Sequence, residues 1–86
     1  MIADMNAIDE KVSRIVGKVL QHKHPIAMDQ VLYPYGLDSM KIIELIVQLE
    51  DQFNILLDDN ELYFENFSNK RDIIARVKRK LYGQPY

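Results

Sequence analysis

The sequence predicts an all-α fold, a small four-helix bundle with a long first loop and a short third helix. Three observations predict it. Apolar residues recur at three- and four-residue spacing in separate stretches, which places them on single helix faces. No stretch alternates apolar and polar residues as a half-buried strand does. With 3 Gly and 3 Pro in 86 residues, the chain has room for long helices. A chain of this length reads as one domain, residues 1–86. It contains no Cys, so neither a disulfide nor a thiolate zinc site can staple it. Stability must come from packed apolar faces, and 48% apolar residues can supply them.

The first helix is read from Ile8, Val12, Ile15, Val16 and Val19, which make one apolar stripe. Asp4 or Asn6 is its candidate cap. It should fade between His22 and Pro25, because the residue before a proline is pushed out of helical geometry. From His24 to Asp38 the periodicity stops, and Pro25, Pro34 and Gly36 mark a loop. Val31, Leu32 and Leu37 are expected to tuck into the core. So long a loop in a small domain tends to be functional. The second helix should run from about Ser39 to Phe53, capped by Asp38 or Ser39. After a short segment, Asn54 to Leu57, the residues Asp58, Asp59 and Asn60 offer caps for a brief third helix containing Leu62, Tyr63 and Phe64. The last helix starts near Ser68 or Asn69, buries Ile73, Ile74, Val77 and Leu81, and ends at Gly83 and Pro85.

The net charge of −2 argues against a dedicated nucleic-acid binder, which carries a basic patch. No apolar stretch approaches the ~20 residues that span a bilayer. The N-terminus, with Asp4, Asp9 and Glu10, lacks the continuous apolar core of a secretory signal, so a cytoplasmic location is expected. A monomer is expected as well.

The second helix carries more than a core face. At 100° per residue, Ile42, Leu45, Ile46, Leu49 and Phe53 fall on one broad side. Met40, Glu44, Val47 and Asp51 fall on another strip, at spacings of four, three and four. Either Met40 and Val47 widen the core, or the strip is a partner-docking surface beginning beside Ser39. Ser39 itself can be a plain helix cap. It lacks the neighbouring base that a self-activated nucleophile needs, since the only histidines, His22 and His24, stand at the far end of the first helix. A serine at a helix N-terminus is nevertheless well placed to carry a phosphate, because free N–H groups and the helix dipole favour an anion there.

The run Tyr35-Gly36-Leu37-Asp38-Ser39-Met40, followed by Ile43-Glu44-Leu45 and by Leu49-Glu50-Asp51-Gln52-Phe53, resembles the acyl carrier and peptidyl carrier protein family. The match spans roughly Val31 to Leu57, and both ends match only in helical pattern. The resemblance implies that Ser39 receives 4′-phosphopantetheine from coenzyme A through a separate transferase using magnesium. Asp38 precedes the modified serine as the family expects. Met40, Lys41, Glu44, Val47 and Asp51 are implied partner contacts, for the phosphopantetheinyl transferase, an acyl- or aminoacyl-loading enzyme of adenylation type, and downstream cargo-processing enzymes. The protein is then no enzyme but a tether for a thioester, which raises the effective concentration of cargo at each docked active site.

Several residues depart from the fatty-acid carriers of that family. Lys41 stands where they often have an acid, Asp58 replaces a frequent proline, and Lys70 stands near an expected apolar position, where the last helix could begin differently. Asn66 and Phe67 extend the third-helix region. The chain is also less acidic than those carriers. These features lean toward aminoacyl or specialised acyl cargo, as in nonribosomal peptide or polyketide-like pathways, with fatty-acid synthesis as the alternative.

Other readings are weaker. A calcium loop counted from Asp58 would place Leu62 and Tyr63 where an oxygen ligand and Gly are required. His22 and His24 are too isolated for a metal site and read as solvated. The basic last helix, with Lys70, Arg71, Arg76, Lys78, Arg79 and Lys80, reads as a solvated face. Its rival reading is a small helical DNA-binding domain, whose binding would be salt-dependent.

Overall fold

The computed structural model describes residues 5–58 and 64–83. Three α-helices form its frame: α1 (Met5–Leu20), α2 (Ser39–Phe53) and α3 (Lys70–Tyr82). Among the described residues two single 3₁₀ turns, Tyr33–Tyr35 and Phe64–Phe67, lie between them. The described residues contain no strand. The expected short third helix is only partly in view. Asp59, Asn60, Leu62 and Tyr63 lie outside the described residues, and the part that is described is the turn Phe64–Phe67.

Each helix boundary has a local cause. Asn6 lies inside α1, one residue after its start at Met5, and Asp4 lies outside the described residues. At the other end Gln21 turns left-handed (φ 54°). There the His22 N–H donates to the Gly17 carbonyl at 3.0 Å and the Gln21 N–H to the Lys18 carbonyl at 3.2 Å. This pair of bonds is a Schellman cap, which satisfies carbonyls that the helix leaves without partners. Helix α2 ends on left-handed Asn54, whose N–H donates to the Glu50 carbonyl. Helix α3 is capped by the Asn69 side chain, which accepts from the Asp72 N–H at 2.8 Å, and it ends at Gly83. Asp72 in its first turn and Arg79 and Lys80 in its last complement the helix dipole.

Helix α1 packs against both other helices and runs antiparallel to them. The Lys11 ammonium donates to the Gln52 carbonyl at 3.5 Å and lies over the Phe53 ring, so the start of α1 meets the end of α2. Lys78 pairs with Asp9 at 3.7 Å, so the start of α1 also meets the end of α3. All five expected core residues of α1 are buried, together with Ile42, Leu45 and Leu49 of α2 and Ile73, Ile74 and Val77 of α3. Ile46 and Phe53 are only partly buried at the margin. Phe67, from the second 3₁₀ turn, is the largest fully buried side chain.

The long loop is fastened to the start of α3. The Leu32 N–H donates to the Ser68 carbonyl at 2.8 Å, and the Arg71 N–H donates to the Met28 carbonyl at 3.1 Å. Arg71 also pairs with Asp29 at 2.9 Å. Two apolar expectations are corrected. Val31 is exposed while its neighbours Leu32 and Leu37 are buried, because inward-turned Leu32 leaves Val31 facing outward. Leu81 is also exposed, in the last turn of α3 just before the helix ends at Gly83. Lys70 does not displace the start of α3. It is the first helical residue, and it is buried.

Candidate functional site

The residues around Ser39 are placed by a tight turn. Gly36 takes φ 104°, a conformation that L side chains rarely adopt. This turn lets the Gly36 N–H donate to the Tyr33 carbonyl at 3.1 Å and the Leu37 N–H to the Leu32 carbonyl at 3.4 Å. Buried Leu37 then anchors the chain, and Asp38 leaves it extended (φ −121°, ψ −174°). Asp38 is the cap of α2. Its carboxylate accepts from the Lys41 N–H at 2.9 Å, and its carbonyl accepts from the Ile42 N–H at 2.8 Å. The sequence left Asp38 and Ser39 as alternative caps. With Asp38 in that role, Ser39 is the first helical residue and its side chain is exposed.

The two histidines lie nearer this turn than the sequence suggested. His22 is half-buried with its ring edge-on to Tyr35, centroids 4.9 Å apart, and His24 packs edge-on to His22 at 6.1 Å. The reading of both as solvated is corrected for His22, because the antiparallel packing of α1 brings its end against the turn before α2. Neither histidine hydrogen-bonds Ser39 among the described residues. No group of three or more His, Cys, Asp or Glu could hold a metal ion among those residues.

The strip on α2 faces solvent. Met40 is 71% exposed and Val47 55%, with Glu44 and Asp51 exposed beside them. Met40 and Val47 therefore do not widen the core. Lys41 is half-buried, with its ammonium 4.0 Å from the Glu44 carboxylate, a surface pair worth ~0–1 kcal/mol. Two apolar residues were missed. Ile43 is 58% exposed, at the edge of the strip, where its wheel angle beside Met40 already pointed. Leu56 is 78% exposed, beyond the helix end, where no periodicity could reveal it. Val47, Glu50, Asp51, Asn54, Ile55 and Leu56 line an open groove of about 680 Å³ that continues the strip.

Most cations of α3 are engaged elsewhere. Arg71 holds Asp29, Lys78 holds Asp9, Lys80 meets Asp58 at 3.3 Å, and Arg76 donates to Asn66 at 3.0 Å. This is the partnered face of a bundle, and it gives no support to a DNA-binding surface on α3.

A helical bundle with an exposed hydroxyl at the first position of a capped helix, and a mixed apolar and acidic strip running away from it, has the layout of a carrier domain. The comparisons with known proteins agree. Residues 10–77 match the family described as "Phosphopantetheine attachment site". The D-alanyl carrier protein of Streptococcus suis is 34% identical over 77 residues, covering 88% of this chain and 98% of the relative. That of Leuconostoc citreum is 30% identical over 73 residues, covering 84% and 94%. An acyl carrier protein of Exiguobacterium is 28% identical over 75 residues, covering 87% and 85%. The chain belongs to the phosphopantetheine attachment-site family. It is a carrier protein, a non-catalytic tether whose prosthetic group is 4′-phosphopantetheine. No helix among the described residues is long and apolar enough to cross a membrane.

Proposed function

We propose that Ser39 carries the 4′-phosphopantetheine arm and that the arm holds an aminoacyl group, D-alanyl in the first instance, as a thioester. The observation that supports the site is the exposed Ser39 at the first position of α2, with its helix already capped by Asp38. Its hydroxyl is therefore not needed for the fold. In the modification, a transferase removes the Ser39 proton, and the serine oxygen bonds to the pantetheine phosphorus. Adenosine 3′,5′-bisphosphate leaves. The phosphodiester anion formed would sit at the positive end of α2. A loading enzyme then supplies an activated aminoacyl adenylate. The arm's thiol attacks its carbonyl carbon, a thioester forms, and AMP leaves.

Support for aminoacyl cargo comes from the names of the relatives and from the interior. Two of the relatives above are D-alanyl carriers. Leu45, Leu49, Phe67 and Ile73 are fully buried in one core cluster, and a close-packed core tolerates added volume poorly. A short, polar group riding outside the bundle fits better than a long acyl chain within it. Met40, Lys41, Glu44, Val47 and Asp51, extended by Ile43 and Leu56, are the surface we assign to the transferase and the loading and downstream enzymes. We place this one-domain protein in the cytoplasm, with access to coenzyme A.

Intact mass tests the reading. Incubation with coenzyme A, magnesium and a promiscuous transferase should add one phosphopantetheine, and Ser39→Ala should abolish the addition. The holo-protein should then accept D-alanine from an ATP-dependent ligase faster than fatty-acid elongation enzymes extend an acyl group on it. Addition that persists in Ser39→Ala and maps to Ser13 or Ser68 would overturn the site. Efficient elongation of long chains would overturn the cargo.

A further inference from the structure

An open groove of about 630 Å³ lies between the second half of α1, the start of the long loop and the start of α3. Arg14, Lys18, His22, Lys23, His24 and Lys70 line it, and among the described residues no carboxylate does. The chain holds 13 acidic residues against 11 lysines and arginines, so it has acids enough to neutralise its cations. On α3 it does so, with Arg71, Lys78 and Lys80 each held by an aspartate. At the groove it does not. Arg14, Lys18 and Lys23 form no ion pair among the described residues, although Arg14 and Lys18 stand four apart on one helix face, where like charges repel.

Lys70 sharpens the point. It is 5% exposed, and its ammonium donates to the Ile26 carbonyl at 2.7 Å. It has no carboxylate partner among the described residues. Desolvation by burial pulls its pKa below the ordinary lysine value. An ammonium has three donors, and a buried charge is normally paired. Here one carbonyl serves it, and no counter-charge stands against it among the described residues.

We propose that this groove binds a soluble small molecule bearing a phosphate, with Arg14, Lys18 and Lys70 around the anion and the apolar part of the ligand on Pro25, Ile26 and Met28. A phosphomonoester or diphosphate carries the multiple negative charge that several converging cations call for, which a single carboxylate does not. The volume lies within the ~300–1,000 Å³ typical of small-molecule sites. The inference is independent of the carrier role of Ser39.

The test is a titration of the ¹⁵N-labelled protein with inorganic pyrophosphate and with AMP at fixed ionic strength, read by amide chemical shifts. A parallel arm measures sedimentation with phosphatidylglycerol and phosphatidylcholine vesicles. Saturable shifts of Gly17, His22 and Lys70, weakened at least tenfold in the double variant Arg14→Gln, Lys18→Gln, support the site. Both substituted side chains are exposed, so the fold should persist, and the unchanged rate of phosphopantetheine addition serves as the control. Shifts that do not saturate, that acetate reproduces, or that the double variant retains in full overturn the proposal. So does sedimentation with phosphatidylglycerol vesicles in the absence of pyrophosphate and AMP binding.

Discussion

Gly36→Ala should loosen the whole turn that presents Ser39, for a reason that is torsional rather than steric. A Cβ built at Gly36 would meet nothing within 4 Å, so the substitution causes no clash. The cost is the backbone, held at φ 104°. Left-handed geometry costs an L residue ~1–2 kcal/mol. Alanine returns ~0.4–1 kcal/mol of this by stiffening the unfolded chain. The mid-range difference leaves a net loss of about 0.8 kcal/mol. At ~4–8 °C per kcal/mol for a domain of this size, the melting temperature should fall by about 3–6 °C. Thermal unfolding followed by circular dichroism measures it, with the initial rate of phosphopantetheine addition as a second reading. Gly36→Asn separates the causes, because asparagine is larger than alanine but tolerates positive φ better. The torsional account requires Asn to be the milder change. Equal stability of Gly36→Ala and the parent, or an Asn variant weaker than Ala, would refute it.

Three further outcomes are expected. Asp38→Ala should lose ~0.5–2 kcal/mol in denaturant unfolding as the cap is removed, whereas Ser39→Ala should stay within about 0.5 kcal/mol of the parent. Val47→Asp should slow phosphopantetheine addition or aminoacyl loading while the helical dichroism stays near that of the parent, since the side chain is exposed. Burial lowers the Lys70 pKa below 10.5, so in the alkaline window between the two values the unfolded chain binds more protons. This group's contribution therefore makes stability rise with pH through that window, and Lys70→Met should remove the rise in urea midpoints compared between pH 8 and 10.5.

The elements most legible in the sequence were those governed by period. The stripe Ile8, Val12, Ile15, Val16 and Val19 is buried as its spacing required, and α2 begins and ends where its caps and wheel placed it. The strip from Met40 to Asp51 emerged from angle alone. What stayed hidden depends on contacts between distant segments. Nothing local tells that Val31 faces out while Leu32 faces in, because a loop residue's burial is decided by its partner, here Ser68. The His22 contact with Tyr35 exists because two helices run antiparallel. Lys70 read as an oddity at an apolar position. Only the fold shows that its stem takes that position while its ammonium reaches the Ile26 carbonyl, 44 residues away in sequence.

That same fastening of the long loop to α3 bears on how the molecule assembles. Lys70 to Ile26 and Arg71 to Asp29 join residues 44 and 42 apart, among the most non-local bonds in the fold. Contacts of that separation require a large loop to close before they return any energy. The helices can pair first through α1, and the loop can be drawn down only after α3 has docked. Leu32 and Leu37 also root the loop in the core, so any sub-global opening of it uncovers those two side chains. The turn at Gly36 and the start of α2 would then gain freedom only in an opening that part of the core shares, and the adjustment of the serine end of the carrier to successive enzymes is coupled to the seating of Leu32 and Leu37.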